Sequence, residues 1–346
     1  MNSTTNLPLI SIIIPNHNGA KYLSDCLQSL RSQTFRNSEI IVVDNASSDE
    51  SLRVAQSFEC SLIQNSSNLG FAGAVNRGIH RARGEWVVVL NNDTELPPDW
   101  LAECVRGIES HAEAVFFACK IMDFTDHSRL FSAGDCYLRA GIGYRRGQEL
   151  ADRPEFSREC RIFSASGCAA LYRRDILLEL GGFDERFFAY LEDVDLGLRI
   201  QAAGYCGFYL PRAKVYHVGA GTSGGEFSAL AVRLRTRNSL LLLTKSVPAS
   251  FLLRCLPMIA YMQFSWTARV IAHWQPGSYL RGLIEALIAV PAMVRARARM
   301  RAAWKMAKQR LWQEILDSEH QARADFSEEI KESRSIFLRW YFRVFR

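Results

Sequence analysis

No Cys-x-x-Cys pair occurs among the nine cysteines, at positions 26, 60, 104, 119, 136, 160, 168, 206 and 255. An odd number cannot pair completely within one chain, so the pattern predicts free, buried thiols in a reducing cytosol rather than a disulfide framework. A Gly-x-Gly-x-x-Gly turn after the first strand is missing too, which argues against a dinucleotide-dependent oxidoreductase. No basic segment precedes the apolar run Leu9–Ile14, and Pro15 stops that run, so it reads as a strand and not as a secretory signal. Beyond residue 238 the longest charge-free run, Cys255–Ala268, has 14 residues, short of the ~20 that span a bilayer. No internal repeat is evident.

What is present suits a folded chain: 346 residues, 48% of them hydrophobic, enough for one large domain or two ordinary ones. The net charge of +6 is uneven. Residues 239–346 carry 17 Lys+Arg against 8 Asp+Glu, and the first 238 carry 25 against 28. The basic end also holds five of the seven tryptophans and many Leu and Ile residues, so an anionic membrane surface fits it better than nucleic acid does. Residues 1–238 and 239–346 are therefore expected to form a first, slightly acidic domain and a helical, basic, membrane-associating region.

From residue 9 to about 120 strands and helices alternate. Strands are expected at 10–14, 40–43, 61–64 and 86–90, and helices at 21–33, 49–57, from the Asn68–Gly73 loop to Ala82, and from Pro98 onward. Alternation of this kind predicts an α/β fold with a mostly parallel sheet and helices on both faces. Residues 121–165, rich in glycine and arginine, predict short strands and loops. A helix over 174–180, another over 192–203, and strands at 206–210 and 214–218 follow.

Polar residues gather where strands end, the place at which an open α/β sheet receives ligands. Ser11-Ile-Ile-Ile-Pro15-Asn-His-Asn18 ends the first strand, Ile40-Ile-Val-Val-Asp44-Asn the second, and Trp86-Val-Val-Val-Leu-Asn91-Asn92-Asp93 the fourth. Asn68-Leu-Gly70-Phe-Ala-Gly-Ala-Val-Asn76-Arg-Gly opens a helix whose backbone N–H groups favour an anion. Tyr190-Leu-Glu192-Asp193-Val-Asp195 sets three carboxylates at another helix start, and Asp195 with Arg199 has the spacing of a structural ion pair.

This order of motifs resembles the family-2 glycosyltransferases of the GT-A fold over about two thirds of the chain. The resemblance implies that Pro15, Asn18, Asp44, Asn68, Gly70, Asn76 and Asn92 meet a nucleoside diphosphate sugar. Asp44 has a turn role with Asn45 and Ser47 as its alternative, and Asn76 a packing role. Asn91-Asn92-Asp93 takes the place of the family's Asp-x-Asp element with its first aspartate replaced. Asp93, and His217 in Val-Tyr-His-Val-Gly, are the implied ligands of Mg2+ or Mn2+, with a packed core histidine as the other reading of His217. Asp193 is the implied base that deprotonates the acceptor hydroxyl, and Gly167, Cys168 and Glu192 the implied acceptor contacts, with helix-to-sheet packing the alternative for Gly167 and Cys168. The glycine-rich segment 219–225 reads as a loop over the diphosphate, and Arg233 and Arg237-Asn238 as residues that bridge phosphates or face solvent.

The Leu-Asn-Asn-Asp form and the basic tail look most like bacterial rhamnosyltransferases that use dTDP-rhamnose, with a UDP-sugar as the alternative donor. The expected reaction is inverting transfer to a lipid-linked or cell-envelope saccharide, by an enzyme peripheral on the cytoplasmic face of the membrane. The Gln-x-x-Arg-Trp element of processive synthases is absent, so addition of one or a few sugars is expected. The rival is a catalytically silent, sugar-nucleotide-binding or scaffolding subunit of a membrane-associated assembly complex, suggested by Asn91 and the tail.

Overall fold

The computed structural model describes residues 9–219, 224–302, 304–327 and 336–345. Its first half is a β-α alternation: β1 (Ile10–Asn16), α1 (Ala20–Arg31), β2 (Ser38–Asp44), α2 (Ser51–Gln56), β3 (Ser61–Gln64), α3 (Gly70–Arg81) and β4 (Trp86–Leu90). Then come β5 (Thr94–Glu95), α4 (Trp100–Ser110), β6 (Ala114–Asp123), β7 (Leu130–Ser132), β8 (Asp135–Leu138), β9 (Ile142–Arg145) and β10 (Cys160–Ile162). The sheet is completed by β11 (Ala169–Arg173), α5 (Arg174–Glu179), α6 (Glu192–Ala202) and β12 (Cys206–His217). Five helices follow: α7 (Ala229–Ser246), α8 (Ala249–Ala272), α9 (Pro276–Ala302), α10 (Lys308–Ser327) and α11 (Ile336–Val344).

The main sheet runs β10-β12-β6-β11-β4-β1-β2-β3, with β5 on β12 and β7 on β6. Strands β1 to β4 are mutually parallel, β11 lies antiparallel between β4 and β6, and β12 is parallel to β6. Two reversals in succession turn β6 and β12 back into the direction of β4. The carboxyl ends of β1, β2, β4 and β12 and the amino end of β11 therefore share one edge of the sheet.

Alternation along β1 explains why helices cover both faces. Ile12 and Ile14 point with Val88 and Leu90 into a core filled by Leu23, Cys26 and Leu27 of α1 and Leu101 and Cys104 of α4. Ile13 and Val89 point the other way, onto Ala72, Val75 and Ile79 of α3. A third buried cluster joins Val194 and Leu198 of α6 to Leu241 and Leu242 of α7, Phe251 of α8, Met293 of α9 and Ile315 of α10. Residues 238 and 239, where the sequence suggested a division, are consecutive within α7, and the helices beyond them pack on α6. The strands expected at 206–210 and 214–218 are one strand, β12, whose register slips between Leu210 and Lys214. All nine cysteines are free thiols.

Candidate active site

At the shared edge, β2, β1 and β4 are neighbours, so their ends span ~10 Å at the usual strand spacing. Asn16 bridges that span. Its amide donates to Asp44 Oδ1 at 3.1 Å, and its own oxygen accepts from Asn92 Nδ2 at 2.6 Å. Gly19 is required beside them, because a Cβ there would lie 2.0 Å from Asn92 Nδ2 and 2.5 Å from Asn16 Oδ1. Asp44 also accepts from the Ser47 backbone N–H at 2.9 Å and from the Ser47 hydroxyl, which is the turn role weighed for it. About one of its four acceptor positions stays open to a ligand. Asn18, in the left-handed region at φ 50°, ties the loops after β1 and β2: its oxygen accepts from Ser48 N at 2.8 Å, and its N–H donates to Ser47 Oγ. Pro15 stands beside Val43 in the ladder. Asn45, which the motif reading did not single out, donates to Gly70 O at 3.0 Å and accepts from Asn65 at 2.8 Å. It fixes the entry to α3, where Asn68 Oδ1 accepts from Gly70 N.

Asn76 does not join this edge. Its amide is committed to Phe183 O, Phe183 N and Glu185, and it lines a separate cavity of 490 Å³ with Asp184, Arg186, Lys245 and Arg299. The packing reading of Asn76 is the one its contacts match.

Asp93 and His217 do meet. Their strands are joined by the Thr94–His217 pair, and Asp93 Oδ1 lies 3.1 Å from His217 Nε2. The Asn91 amide approaches the same nitrogen at 3.4 Å. The other imidazole nitrogen is buried with no hydrogen-bond partner, and the ring stands edge-on to Phe131 at 4.4 Å. The Asp93 carboxylate and the His217 imidazole are donors that Mg2+ or Mn2+ accepts, with Asn91 Oδ1 joining them when its amide is turned over and phosphate and water oxygens filling the other positions. Among the described residues no cluster of three His, Cys, Asp or Glu side chains suited to a metal occurs, in keeping with Asn91 where an aspartate would have been a stronger ligand.

Backbone bonds carry the edge on to Asp193. Asn91 N donates to Cys168 O at 2.8 Å, and the adjacent Gly167 N donates to Asp193 Oδ2 at 3.1 Å. The Cys168 thiol is buried in the α1 side of the core, and burial pushes it well above its ordinary range, so it offers no side-chain contact to an acceptor. A Cβ on Gly167 would meet Phe71 at 2.9 Å. Asp193 is half-buried, and its second oxygen accepts from Val194 N at 2.8 Å. Glu192 beside it is buried with Oε2 unpartnered. Burial first, and the charge of Asp193 second, push its carboxyl well above the usual carboxylate range.

The turn before α6 is strained. Phe188, Tyr190 and Leu191 all have positive φ (64°, 71° and 69°), a conformation that costs ordinary residues energy and collects at functional sites. It is held from two sides. On one, Gly70 makes room for it: a Cβ there would sit 2.5 Å from Phe188 O, and Ala72 N donates to that same oxygen. On the other, the buried Asn238 of α7 presents its amide N–H groups to Phe187 O, Ala189 O and Tyr190 O at 2.9, 2.8 and 2.7 Å, and Arg237 donates to Arg186 O and Phe187 O. Arg237 and Asn238 thus clamp a turn where a phosphate-bridging or solvent-facing role was expected. Asp195 pairs with Arg199 as expected, and also with Lys245 and Ser246 of α7.

The hairpin β8–β9 adds two residues that no motif marked. Asp135 and Arg145 face each other across it. Arg145 stacks on Phe131, 4.6 Å from the ring centre, and Phe131 is the ring against His217. Asp135 is buried and bonded to Ser132, and its carboxyl is pushed up to about 7 by burial and by Asp193, against the pull of Arg145. The folded state therefore keeps a proton on Asp135 from about pH 4, where the unfolded group loses it, to about pH 7. Stability contributed by this site falls as pH rises through that window. Asp135→Asn is expected to remove the slope: its melting temperature should match wild type near pH 4 and exceed it by at least ~2 °C at pH 8. Parallel pH profiles in a thermal melt check the prediction.

Residues 220–223 of the expected loop lie outside the described residues. What the geometry offers is one edge carrying a carboxylate–amide relay, a carboxylate–imidazole pair and a positioned carboxylate.

The family model for Glycosyl transferase family 2 matches residues 11–181. An N-acetylglucosaminyl-diphospho-decaprenol L-rhamnosyltransferase of Mycobacterium tuberculosis is 30% identical over 254 residues, covering 64% of this chain and 79% of that protein. This chain belongs to glycosyltransferase family 2. Among solved structures, S. aureus TarS 1-349 in complex with UDP-GlcNAc superposes with a TM-score of 0.54 at 18% identity, covering 94% of this chain and 93% of that one. The mannosyltransferase PcManGT from Pyrobaculum calidifontis, in complex with GDP-Man and Mn2+, gives 0.51 at 18%, covering 95% and 89%. The glycosyltransferase thus has the GT-A fold, with helices appended to its carboxyl end.

Proposed function

We propose that this glycosyltransferase moves a sugar from a nucleoside diphosphate donor, dTDP-rhamnose first and a UDP-sugar as the alternative, to a hydroxyl of a lipid-linked or cell-envelope saccharide, with inversion at the anomeric carbon. The similarity to a mycobacterial rhamnosyltransferase with a lipid diphosphate in its name supports this donor and acceptor class. The observation that carries the reading is the continuous path from Asp44 through Asn16, Asn92, Asn91 and Cys168 to Gly167 and Asp193, a single edge along which nucleotide, diphosphate and acceptor would be met.

Asp44 and Asn18 would orient the base and ribose. Asp93, His217 and Asn91 would hold a divalent cation, Mn2+ or Mg2+, which when bound neutralises charge on the leaving diphosphate. Asp193 takes the proton of the acceptor hydroxyl as its oxygen forms the new bond, and the old C–O electron pair leaves with the diphosphate. One displacement inverts the centre. A lipid-linked acceptor places the enzyme on the cytoplasmic face of the membrane.

A donor panel tests this reading. Nucleotide release in the presence of a lipid-diphosphate saccharide and Mn2+ is expected with dTDP-rhamnose. Asp93→Ala should lower kcat/KM by about 10²-fold and weaken the response to added metal. Turnover with UDP-hexoses and none with dTDP-rhamnose rejects the donor, and an unchanged metal response in Asp93→Ala rejects the cation position.

A further inference from the structure

Helices α8 and α9 follow one another as a hairpin, and each carries a bare apolar stripe. Leu253, Phe264 and Ile271 recur along α8 at 11 and 7 residues, which returns to nearly the same side of a helix, and they are 78%, 68% and 60% exposed. On α9, Leu280, Leu287 and Ile288 are 58%, 69% and 75% exposed on the side away from α7. Trp274, at the tip between the helices with φ 56°, is 89% exposed. A soluble surface seldom leaves so many large apolar side chains side by side without a partner.

The charges on this face have one sign. Helix α8 contains no acidic residue, and the one acid of α9, Glu285, is paired with Arg233 and Arg281. Arg281 and Arg295 sit, by helical spacing, on the side of α9 that carries Ile288, whereas Arg299 lines the cavity with Asp184 and Arg254 of α8 packs over Trp312. A second copy of the chain would bring these arginines against one another. Anionic lipid complements both features at once.

By length and composition α9 is able to cross a bilayer, but its ties argue against that path. Glu285 is paired with Arg233 at 2.9 Å, Arg297 donates to Thr244 O and Val247 O at 2.9 and 2.6 Å, and Gly282 lies so close that a Cβ would be 2.5 Å from Arg233 O. One side of α9 is thus fixed along α7, which itself holds the catalytic turn through Asn238. A spanning helix would have to leave all of these contacts.

We infer that the enzyme docks on anionic bilayers as a monotopic protein, with the α8–α9 hairpin lying in the interface plane, its apolar stripe in the acyl boundary, Trp274 at its leading tip and the arginines at the headgroups. This gives the membrane partner of the proposed function a surface and a mode, and its test does not involve sugar chemistry.

The full-length protein is sedimented with vesicles of phosphatidylcholine alone or with phosphatidylglycerol, at low and high salt. Expected are binding to the anionic vesicles, weakening at high salt, and a loss of at least ~10-fold in partitioning for Trp274→Asp with Leu287→Asp. Arg281→Gln with Arg295→Gln should lower anionic binding and its salt dependence without altering the melting temperature, since Glu285 keeps Arg233 as its partner. Resistance of bound protein to high-salt and carbonate extraction would indicate a span and overturn the planar mode. No binding to anionic vesicles, unchanged partitioning in both double variants, or conversion of a wild-type dimer to a monomer by Trp274→Asp with Leu287→Asp while vesicle binding is absent, each overturns the inference. Nucleotide release measured on the same preparations separates these failures from a failure of the transfer reaction.

Discussion

Asp193→Asn should slow glycosyl transfer by about 10²- to 10⁴-fold, the range expected when a positioned general base is lost, while donor affinity stays within about twofold. The amide is nearly isosteric and keeps an oxygen for one of the N–H groups of Gly167 and Val194 while its NH2 faces the other, so a small drop in melting temperature accompanies the loss of rate. What disappears is the capacity to accept the acceptor's proton. Glu192 is the residue to compare. Its carboxyl is held above the ordinary range by burial and by the charge of Asp193, so it carries a proton at pH values where a base must be empty. Glu192→Gln is therefore expected to cost far less turnover at neutral pH. In Asp193→Asn the neighbouring charge is gone and the Glu192 pKa falls, so any residual activity should begin at lower pH than Glu192 would allow in the wild type. Single-turnover rates with calorimetric nucleotide binding decide the matter. Full activity in Asp193→Asn, or a larger loss in Glu192→Gln, would move the base elsewhere.

How far the sequence foretold this site depends on what kind of partner each residue has. Strands β1 to β4 were legible because short apolar runs end in Pro, Asp or Asn, and Asp44 and Asp93 beyond β2 and β4 were legible because the family motifs fix their order. Strand β6 was not marked. Ala114–Asp123 is buried on both faces, so it shows no alternation to separate it from a helix segment. Asp135 and Arg145 were missed because a hairpin in a glycine- and arginine-rich stretch brings them to the site, and neither has a sequence neighbour that hints at it. Asn16 stood inside a quoted motif, yet only the register that sets it beside Asp44 shows that it links two strand ends. Composition marks residues 239–346 as basic and apolar but does not show which side of each helix is covered: α9 presses Ala286 and Met293 inward and leaves Leu287 and Ile288 bare.

Arg237 and Asn238 went astray for a more general reason. Their partners are main-chain carbonyls about fifty residues away, and a carbonyl has no sequence signature. Asn238→Ala is accordingly the sharpest test of the idea that α7 belongs to the catalytic machinery. Two N–H groups of Asn238 now serve three buried carbonyls of the 187–190 turn, and their removal leaves at least two without a donor, at ~1–3 kcal/mol each. The turn should then relax from its left-handed conformation and shift the start of α6, which bears Asp193. Displacement of a reacting group by about 1 Å can cost ~10²-fold, so kcat is expected to fall by about that factor while the donor KM stays within about threefold, because Asp44 and Asn16 lie on other elements. The melting temperature should drop by several degrees. Asn238 is a positioning residue and not a base, which sets a further condition: once Asp193 is Asn, adding Asn238→Ala should slow the enzyme little more, since the group being aimed is already gone. Assays run well below the melting temperature separate aim from stability. An unchanged kcat there, with only the melting temperature lowered, would show that the clamp supports the fold and not the chemistry.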